Sequence, residues 1–323
     1  MTITPILSEQ QLATSTLKID NTEIKYQWVF NLNPANICEY NDLTFPSIQK
    51  RWQTFKQRGK LLGVAAFSAE TMVGLVITEC IANTTSAEII SLFVDPDYRH
   101  QGIGTNLIQY LEKGLVKLGC SSVEVKYKTT KITNKAFEPL LKDCDWAKPE
   151  TKTILGMGTT ETFAKAPWLR KYKLSPDFTI FPWQELTDED RQQIQTRQAE
   201  KPWYPEILSP FHPDPRLETL NSLGLSYRGK ILGWIINHRV AADTIRYSVL
   251  FVAPEIQGSG KGMVLLAESI RLQLNSSITY AKSAVQIHNK PMLRIVRRHL
   301  SPYLIGQAES RLAKKNLVST TQK

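Results

Sequence analysis

An internal repeat constrains the fold of this chain more than any other feature of its sequence. The segment LFVDPDYRHQGIG, which begins at Leu92, resembles the segment LFVAPEIQGSGKG, which begins 158 positions later at Leu250. Upstream, VGLV and LGWI are related by an offset of 159, and downstream Asn134 and Asn289 are related by an offset of 155. Three matches in the same order, at a nearly constant offset, predict a duplicated domain.

Length and composition agree with two globular domains. The 323 residues are 42% hydrophobic and 22% charged, which is ordinary for a soluble protein of about two domains. We predict domains at 1–165 and 166–312, followed by a basic tail at 313–323. No apolar run approaches the roughly 18 residues of a membrane span, and the first residues show no signal-peptide pattern, so a cytoplasmic protein is expected.

Cysteine spacing and charge distribution exclude several kinds of site. The four cysteines have no CxxC spacing and no histidine at zinc-ligand distance along the chain, so we expect reduced thiols and no metal site. The net charge is +10, but the cations are spread along the chain and are not interleaved with aromatic residues, which disfavours a nucleic-acid partner. One cluster at helical spacing is interpreted as either a solvated face or a phosphate-facing patch: Arg294, Arg297, Arg298 and His299.

Hydrophobic periodicity predicts the same order of elements in each half. Apolar runs split by short turns indicate a hairpin, a third strand follows, and an amphipathic helix, a strand and a short helix come next. The first half has strands 61–67, 72–80, 88–94, 122–127 and 153–157 and helices from 105 and at 134–141; the second has strands 223–227, 231–237, 244–252 and 281–287 and helices 262–274 and 291–300. The fold class is therefore α/β (α+β): two tandem domains, each a mixed, mostly antiparallel sheet flanked by helices.

Each copy of the repeat has the construction of a phosphate-binding loop. A strand ends at Asp-Pro or Ala-Pro, and Arg/Gln-x-x-Gly-x-Gly then opens a helix. The glycines let the backbone approach an anion, and the loop and helix N–H groups point at it. The spacing is not that of the Rossmann Gly-x-Gly-x-x-Gly fingerprint, and no Gly-Lys-Ser/Thr closes a P-loop.

This pattern resembles the GNAT superfamily of acyl-CoA-dependent N-acyltransferases, in a tandem two-domain form. The resemblance implies acetyl-CoA, or another acyl-CoA, as co-substrate, with the better-formed site in the first domain. In this family the pantetheine arm inserts beside the motif strand, and an Asn often lies beside that arm. The implied cofactor-binding residues are Phe93, Val94, Arg99, His100, Gln101, Gly102, Ile103, Gly104, Thr105 and Asn134 in the first copy, and Val252, Gln257, Gly258, Ser259, Gly260, Lys261, Gly262 and Asn289 in the second.

The resemblance also implies roles in proton transfer. A base must deprotonate the attacking amine, and Glu88 is the candidate, with Glu79 as an alternative; an exposed edge carboxylate is the other interpretation of Glu88. The family's proton-donating tyrosine, seven residues after the Asn, is replaced by Leu141 and Val296. Tyr127 is the substitute donor, unless it serves only in core packing.

The second copy departs further from the family pattern. Arg246 stands where Glu88 stands in the first copy, and a segment rich in proline and aromatic residues, 202–213, precedes the second hairpin. This segment either grips a substrate or packs rigidly on its own domain. The function implied is an N-acetyltransferase acting on a primary amine of a small molecule or protein. The alternative is a degenerate acyl-CoA-binding sensor or scaffold.

Overall fold

The computed structural model of the protein describes residues 15–19, 22–33, 35–52, 56–130, 133–212 and 214–317. These residues form two compact units. The first contains the described residues up to Lys152 and those from Ser310, and the second is Thr153–Glu309. Within the described ranges, no helix has both the length and the apolar character needed to cross a membrane.

The first unit is a mixed sheet with helices packed on it. Its elements are β1 (Ser15–Ile19), β2 (Thr22–Leu32), a 3₁₀ segment (Ile37–Leu43), α1 (Pro46–Trp52), β3 (Gly59–Ser68), β4 (Thr71–Ile81), β5 (Ser86–Val94), a 3₁₀ turn (Pro96–Tyr98), α2 (Ile103–Lys117), β6 (Ser122–Lys128), a π-helical turn (Thr133–Phe137) and α3 (Glu138–Asp143). Neighbouring strands β1 to β5 are antiparallel, and β5 and β6 are parallel.

The apolar face of α2 positions the first unit's loop. The buried residues of this face are Ile103, Leu107, Ile108, Leu111 and Leu115, which join one core cluster with the inward side chains of the sheet. Each fully buried side chain of this size contributes roughly 1.5–3 kcal/mol of transfer free energy. The helix therefore starts at a fixed point relative to the end of β5.

The same order of elements recurs from Glu150 onward, and most of these elements belong to the second unit. They are β7 (Glu150–Thr159), α4 (Thr160–Ala164), α5 (Trp168–Lys171), β8 (Phe178–Pro182), a 3₁₀ turn (Trp183–Glu185), α6 (Asp188–Glu200), a 3₁₀ turn (Glu206–Leu208), β9 (Leu223–Tyr227), β10 (Lys230–Ala241), β11 (Thr244–Val252), a 3₁₀ turn (Pro254–Ile256), α7 (Lys261–Leu274), β12 (Tyr280–Gln286), α8 (Lys290–Ile295), a π-helical turn (Val296–Leu300), a 3₁₀ turn (Ser301–Tyr303) and β13 (Leu304–Asn316). The predicted hairpin, third strand and two helices are all present.

Strand pairing divides the chain differently from the predicted ranges 1–165 and 166–312. Residues 153–159 of β7, predicted to close the first domain, pair antiparallel with β12 in the second unit. Residues 310–316 of β13 pair antiparallel with β6 in the first unit. Residues 313–316 of the predicted tail are therefore β-strand. The order of elements along the chain gives no sign of these pairings, since sequence patterns do not specify long-range partners.

Candidate functional site

Each unit has a β-bulge at the same place in the repeat. In the first, Ile77 is opposite Ser91 and Thr78 is opposite Ile89, which leaves Ile90 as the extra residue of β5. In the second, Ile236 is opposite Val249 and Asn237 is opposite Tyr247, which leaves Ser248 as the extra residue of β11. Ile90 and Ser248 are 158 positions apart. Bulges bend a strand and re-aim its side chains, and they are common beside active sites.

The bulged strand separates from its parallel neighbour in both units. The pairing of β5 with β6 ends at Ile89 opposite Val125, and that of β11 with β12 ends at Tyr247 opposite Ser283. Beyond these residues the backbone groups on the facing edges need other partners. An extended polar ligand that enters between the strands can supply them.

A glycine in the left-handed region opens the helix after each bulged strand. Gly102 caps α2 at φ 77°, and Gly260 caps α7 at φ 81°. Only glycine adopts this conformation without a steric cost. The first N–H groups of each helix have no intrahelical acceptor and carry the positive end of the helix dipole. Both units thus have the geometry of an anion-binding helix start.

Arg99 and Gln257 hold the ends of the bulged strands. Arg99 Nε donates to the Val94 carbonyl at 2.9 Å, and Gln257 Nε2 donates to the Val252 carbonyl at 3.1 Å. The Arg99 guanidinium also lies 5.6 Å from the centre of the Phe93 ring. These side chains fix the turn between strand and loop, a role that the spacing of the motif alone does not reveal.

The two loops differ in strain and in free space. His100 has a φ of 63°, whereas Gly258, at the equivalent position, has a φ of 80°. A Cβ on Gly104 would lie 2.8 Å from Leu140 Cδ1, whereas a Cβ on Gly262 would be no closer than 3.8 Å to Val252. The second loop is the less strained and the more open of the two.

The two predicted asparagines have different surroundings. Asn134 is exposed in the π-helical turn before α3. Asn289 is the N-cap of α8, and its Oδ1 accepts a hydrogen bond from the Met292 N–H at 3.1 Å. The cap leaves the Asn289 amide NH₂ available as a donor, and the residue lines a cavity.

That cavity lies within the second unit, between the separated strands β11 and β12, and has a volume of about 430 Å³. A cavity of this size falls within the range of small-molecule sites. Residues 281–286 of β12 form one wall, and residues 247–250 of β11 form the other. Its polar groups include those of Tyr247, Ser248, Gln273 and Asn289. Apolar side chains with a few polar groups are typical of sites that hold and orient an organic ligand.

The proline- and aromatic-rich segment packs on its own unit and also lines the cavity. Pro205, Ile207 and Leu208 line the cavity. Trp203 and Tyr204 are buried in an aromatic cluster, edge-on to Trp234 with ring centres 5.3 and 5.1 Å away. The segment is thus anchored on its own unit and forms part of the cavity wall.

Both candidate bases of the first unit are buried and bound by one arginine. Glu88 is 4% exposed and Glu79 is fully buried, so Glu88 is not an exposed edge carboxylate. Arg58 donates to Glu88 at 2.5 Å and to Glu79 at 2.8 and 3.1 Å, and the two carboxylates raise the pKa of the Arg58 guanidinium, Glu88 most strongly. Lys126 Nζ lies 3.7 Å from Glu88. No sequence motif identifies Arg58, because it precedes β3 in a stretch without a pattern.

Tyr127, the candidate proton donor, is also held by neighbouring side chains. Its hydroxyl donates to Glu138 Oε1 at 2.8 Å, and its ring packs edge-on against Phe137 at 5.1 Å. Burial, and then the hydrogen bond to Glu138, raise the pKa of Tyr127. Leu141 and Val296, at the positions of the missing tyrosines, are buried core residues.

The second unit has a polar cluster that the sequence analysis missed. His238 and Arg246 are directly opposite each other on β10 and β11, as Glu79 and Glu88 are on β4 and β5. His238 Nδ1 lies 2.7 Å from Ser248 Oγ, and Arg246 Nε donates to the same oxygen at 2.9 Å. Asp214 accepts from Arg246 at 3.2 Å and lies 3.8 Å from His238 Nε2. A lone histidine in a strand gives no sequence signal for this cluster.

Comparisons with known proteins agree with the fold of both units. Residues 24–145 match the model of the acetyltransferase (GNAT) family. A tandem GNAT protein from the clavulanic acid biosynthesis pathway is 12% identical, with a TM-score of 0.56 over 92% of this chain and 99% of that one. A GCN5-related N-acetyltransferase from Sphaerobacter thermophilus is 15% identical, with a TM-score of 0.55 over 92% and 98%. No curated protein matches the sequence.

Proposed function

We propose that this chain transfers an acetyl group from acetyl-CoA to a primary amine. Two findings support the proposal: residues 24–145 match the model of the GNAT acetyltransferase family, and the fold resembles that of a tandem GNAT protein. The acceptor amine belongs to a small molecule or a protein. The observation that carries the proposal is the conjunction, in the second unit, of a glycine-opened helix with a cavity between separated strands.

The proposed acyl-CoA sites use the loop and the strand gap together. N–H groups of residues 101–105 and 257–262 bind the pyrophosphate, with the helix dipole adding to the attraction. The pantetheine arm enters beside the bulged strand, along the backbone of Phe93 and Val94 in the first unit and of Val252 in the second. Asn134 and Asn289 hydrogen-bond the arm. The positions of these groups at one end of each strand gap support this arrangement.

We assign acyl transfer to the second unit, although the sequence motif favours the first. The cavity of the second unit has room for a thioester and an amine. In the first unit, a base at Glu88 or Glu79 would have to give up its bond to Arg58 before accepting a proton. Breaking a buried hydrogen bond to a charged group adds to the cost of the transfer.

The transfer itself requires few groups. The amine nitrogen attacks the thioester carbonyl carbon, charge develops on the carbonyl oxygen, and a backbone N–H beside the bulge stabilises it as an oxyanion hole would. The C–S bond then breaks, and its electron pair remains on sulfur. The thiolate of a thiol with a pKa of about 8.5 is a stable leaving group, so the replacement of the donor tyrosine by Val296 does not prevent release.

A second candidate function applies to the first unit alone: acyl-CoA binding without transfer. The binding of Glu79 and Glu88 by Arg58, and of Tyr127 by Glu138, favours this function, because each of these three candidate groups already has a strong partner. In that case the first unit acts as an acyl-CoA-binding sensor or scaffold.

Release of CoA thiol, measured with acetyl-CoA and a panel of small amines and amine-bearing peptides, tests the proposed function. Amine-dependent release at a rate well above hydrolysis is the expected result. Calorimetry in parallel counts the acetyl-CoA molecules bound per chain, and two are expected. Binding without release on any amine would leave only the sensor or scaffold function.

A further inference from the structure

The polar cluster beside the cavity of the second unit provides a path for a proton. Ser248 is the extra residue of the β11 bulge and lines the cavity. His238 lies behind it, only 5% exposed, with Nδ1 2.7 Å from the Ser248 oxygen. A hydroxyl that faces a cavity and contacts a buried imidazole can pass a proton from a ligand to the ring.

The hydrogen bonds around Ser248 allow a path that runs from the hydroxyl to His238. Arg246 Nε can only donate, so Ser248 Oγ accepts from it at 2.9 Å. The hydroxyl proton then has two acceptors, His238 Nδ1 at 2.7 Å and the Arg246 carbonyl at 3.3 Å. The contact with His238 Nδ1 is the shorter of the two. A path toward the ring uses the tautomer that accepts at Nδ1 and carries its proton on Nε2, on the side of Asp214.

We propose that His238 is the proton acceptor of the transfer reaction and that Ser248 relays the proton to it from the amine. The assignment rests on the proposed function of the second unit. When the amine nitrogen bonds to the thioester carbon, its proton passes to Ser248 Oγ as the serine proton passes to His238 Nδ1. The C–S bond breaks with its electron pair on sulfur, and the imidazolium proton then neutralises the thiolate through the same hydroxyl or through solvent.

The charges around His238 suit a base that is neutral before reaction. Burial is the main cause of a lowered pKa for His238; Arg246, Arg216 and His212 also lower it, and Asp214 opposes them. Arg216 holds Asp214 through two hydrogen bonds of 2.8 Å and lowers the pKa of that carboxyl. Asp214 thus stays ionised, stabilises the imidazolium once it forms, and acts as a positioning residue 3.8 Å from Nε2.

The main test is the pH dependence of CoA release in His238→Gln. General-base catalysis contributes about 10²–10⁴-fold, so we expect a fall of about 100-fold in kcat near pH 7.5, with the acetyl-CoA KM unchanged. Wild-type activity should fall as the pH drops through the lowered pKa of His238, and His238→Gln should lose this acid limb. Asp214→Asn removes the charge that raises the pKa of His238, so its acid limb should move to lower pH.

Ser248 gives the matched pair of variants. Ser248→Thr keeps the hydroxyl and should retain most of the activity, whereas Ser248→Ala should lose about 10-fold or more. An active wild type whose His238→Gln variant keeps both its rate, within threefold, and its acid limb would overturn the assignment alone. A wild type that releases no CoA on any amine would overturn the proposed function, and the assignment with it.

A measurement without turnover makes the assignment independent of how the variants fold. The ¹⁵N NMR shifts of the His238 ring at pH 7 should be those of a neutral imidazole protonated at Nε2. A ring protonated at Nδ1, or charged at pH 7, could not accept a proton from Ser248 and would overturn the proposal. Thermal unfolding of each variant checks that the second unit remains folded.

Discussion

The two units place opposite charges at the same cross-strand pair. In the first, two carboxylates, Glu79 and Glu88, are opposite each other and Arg58, from the segment before β3, binds both. In the second, His238 and Arg246 occupy the pair, and Asp214, from the segment before β9, supplies the opposite charge. The backbone frame has been kept while the charge has been inverted. One cluster therefore has its carboxylates bound, whereas the other retains a neutral base.

The sequence motif and the cavity favour different copies of the repeat as the site of acyl transfer. The first loop matches the family pattern in sequence, and residues 24–145 match the family model. The cavity, however, lies in the second unit, between β11 and β12, and the loop of that unit has glycine where the first has a strained histidine. The sequence of a loop indicates whether it can bind phosphate. Acyl transfer depends instead on a cavity for the thioester and the amine, and on a proton acceptor beside that cavity. The predictions below test this division between the units, from the largest expected effect to the smallest.

Blocking one loop at a time gives the largest expected effect. Gly260→Glu places a side chain and a negative charge where we propose that the pyrophosphate binds, and we expect CoA release to fall more than 100-fold. Gly102→Glu, its counterpart, should reduce release only a few-fold, because we assign no transfer to the first unit. Calorimetry should show one acetyl-CoA bound per chain in each variant and two in the wild type.

The opposite result would reverse the comparison. If Gly102→Glu abolishes release and Gly260→Glu does not, transfer belongs to the first unit, as the sequence motif alone predicts. Gly229→Glu is a control for the added charge, because this glycine also has a positive φ, of 84°, and an added Cβ there would meet no other atom within 4 Å. It should leave acetyl-CoA binding unchanged.

Removing the arginine from the first cluster should destabilise that unit. Arg58→Met leaves two buried carboxylates without their guanidinium. Breaking a buried ion pair costs about 3–5 kcal/mol, and because Arg58 is 44% exposed, we expect about 2 kcal/mol, measured by urea unfolding. The matched variant is Arg239→Met in the second unit, where Arg239 binds one buried carboxylate, Glu218. Its loss should be smaller, and an equal or larger loss would contradict the importance of the paired carboxylates.

The repeat provides a second matched pair of variants within its strands. Gly74 and Gly233 occupy equivalent positions in β4 and β10. A Cβ on Gly233 would lie 2.8 Å from the Phe251 carbonyl oxygen, whereas a Cβ on Gly74 would lie 3.1 Å from a flexible Leu107 methyl. Overpacking typically costs about 1–3 kcal/mol, so Gly233→Ala should destabilise the protein by about 1 kcal/mol more than Gly74→Ala. Thermal unfolding measures the difference, and equal losses would show that the strands relax around either methyl group.

Much of the fold follows from local patterns in the sequence. The offset between Leu92 and Leu250 predicted the duplication, and alternating and helical periodicities predicted the hairpins and the two main helices of each unit. The starts of α2 and α7 were predicted within two residues, because a left-handed glycine and an apolar face are local signals. The exchange of residues 153–159 and 310–316 between the predicted ranges was not predicted, because strand pairing is not encoded locally.

The candidate site was predicted only where a motif carries it. The loops and the two asparagines are recognisable from spacing, whereas Arg58, Asp214, His238 and Ser248 are not. Asp214, His238 and Ser248 come together through the strand register, a bulge and one irregular segment. Arg58 reaches Glu79 and Glu88 from a different irregular segment, in the first unit. The position of the Ser248 side chain in particular depends on the bulge in β11. A bulge adds one residue to the strand, and a shift of one residue changes which face of the strand a side chain occupies.

The smallest expected effect is at the third residue before α2 and before α7. His100 has a positive φ in the first loop, and Gly258 stands at the equivalent position in the second. A left-handed conformation costs a non-glycine residue roughly 1 kcal/mol, but glycine loses more conformational entropy on folding. We therefore expect His100→Gly to stabilise the protein by at most about 0.5 kcal/mol, and Gly258→His to destabilise it by about 1 kcal/mol, both measured by urea unfolding.

If the His100 side chain instead contributes to acetyl-CoA binding, His100→Gly will weaken that binding in calorimetry while Gly258→His leaves it unchanged. That outcome would show that the first loop tolerates its strain for the sake of a ligand contact that the second loop lacks.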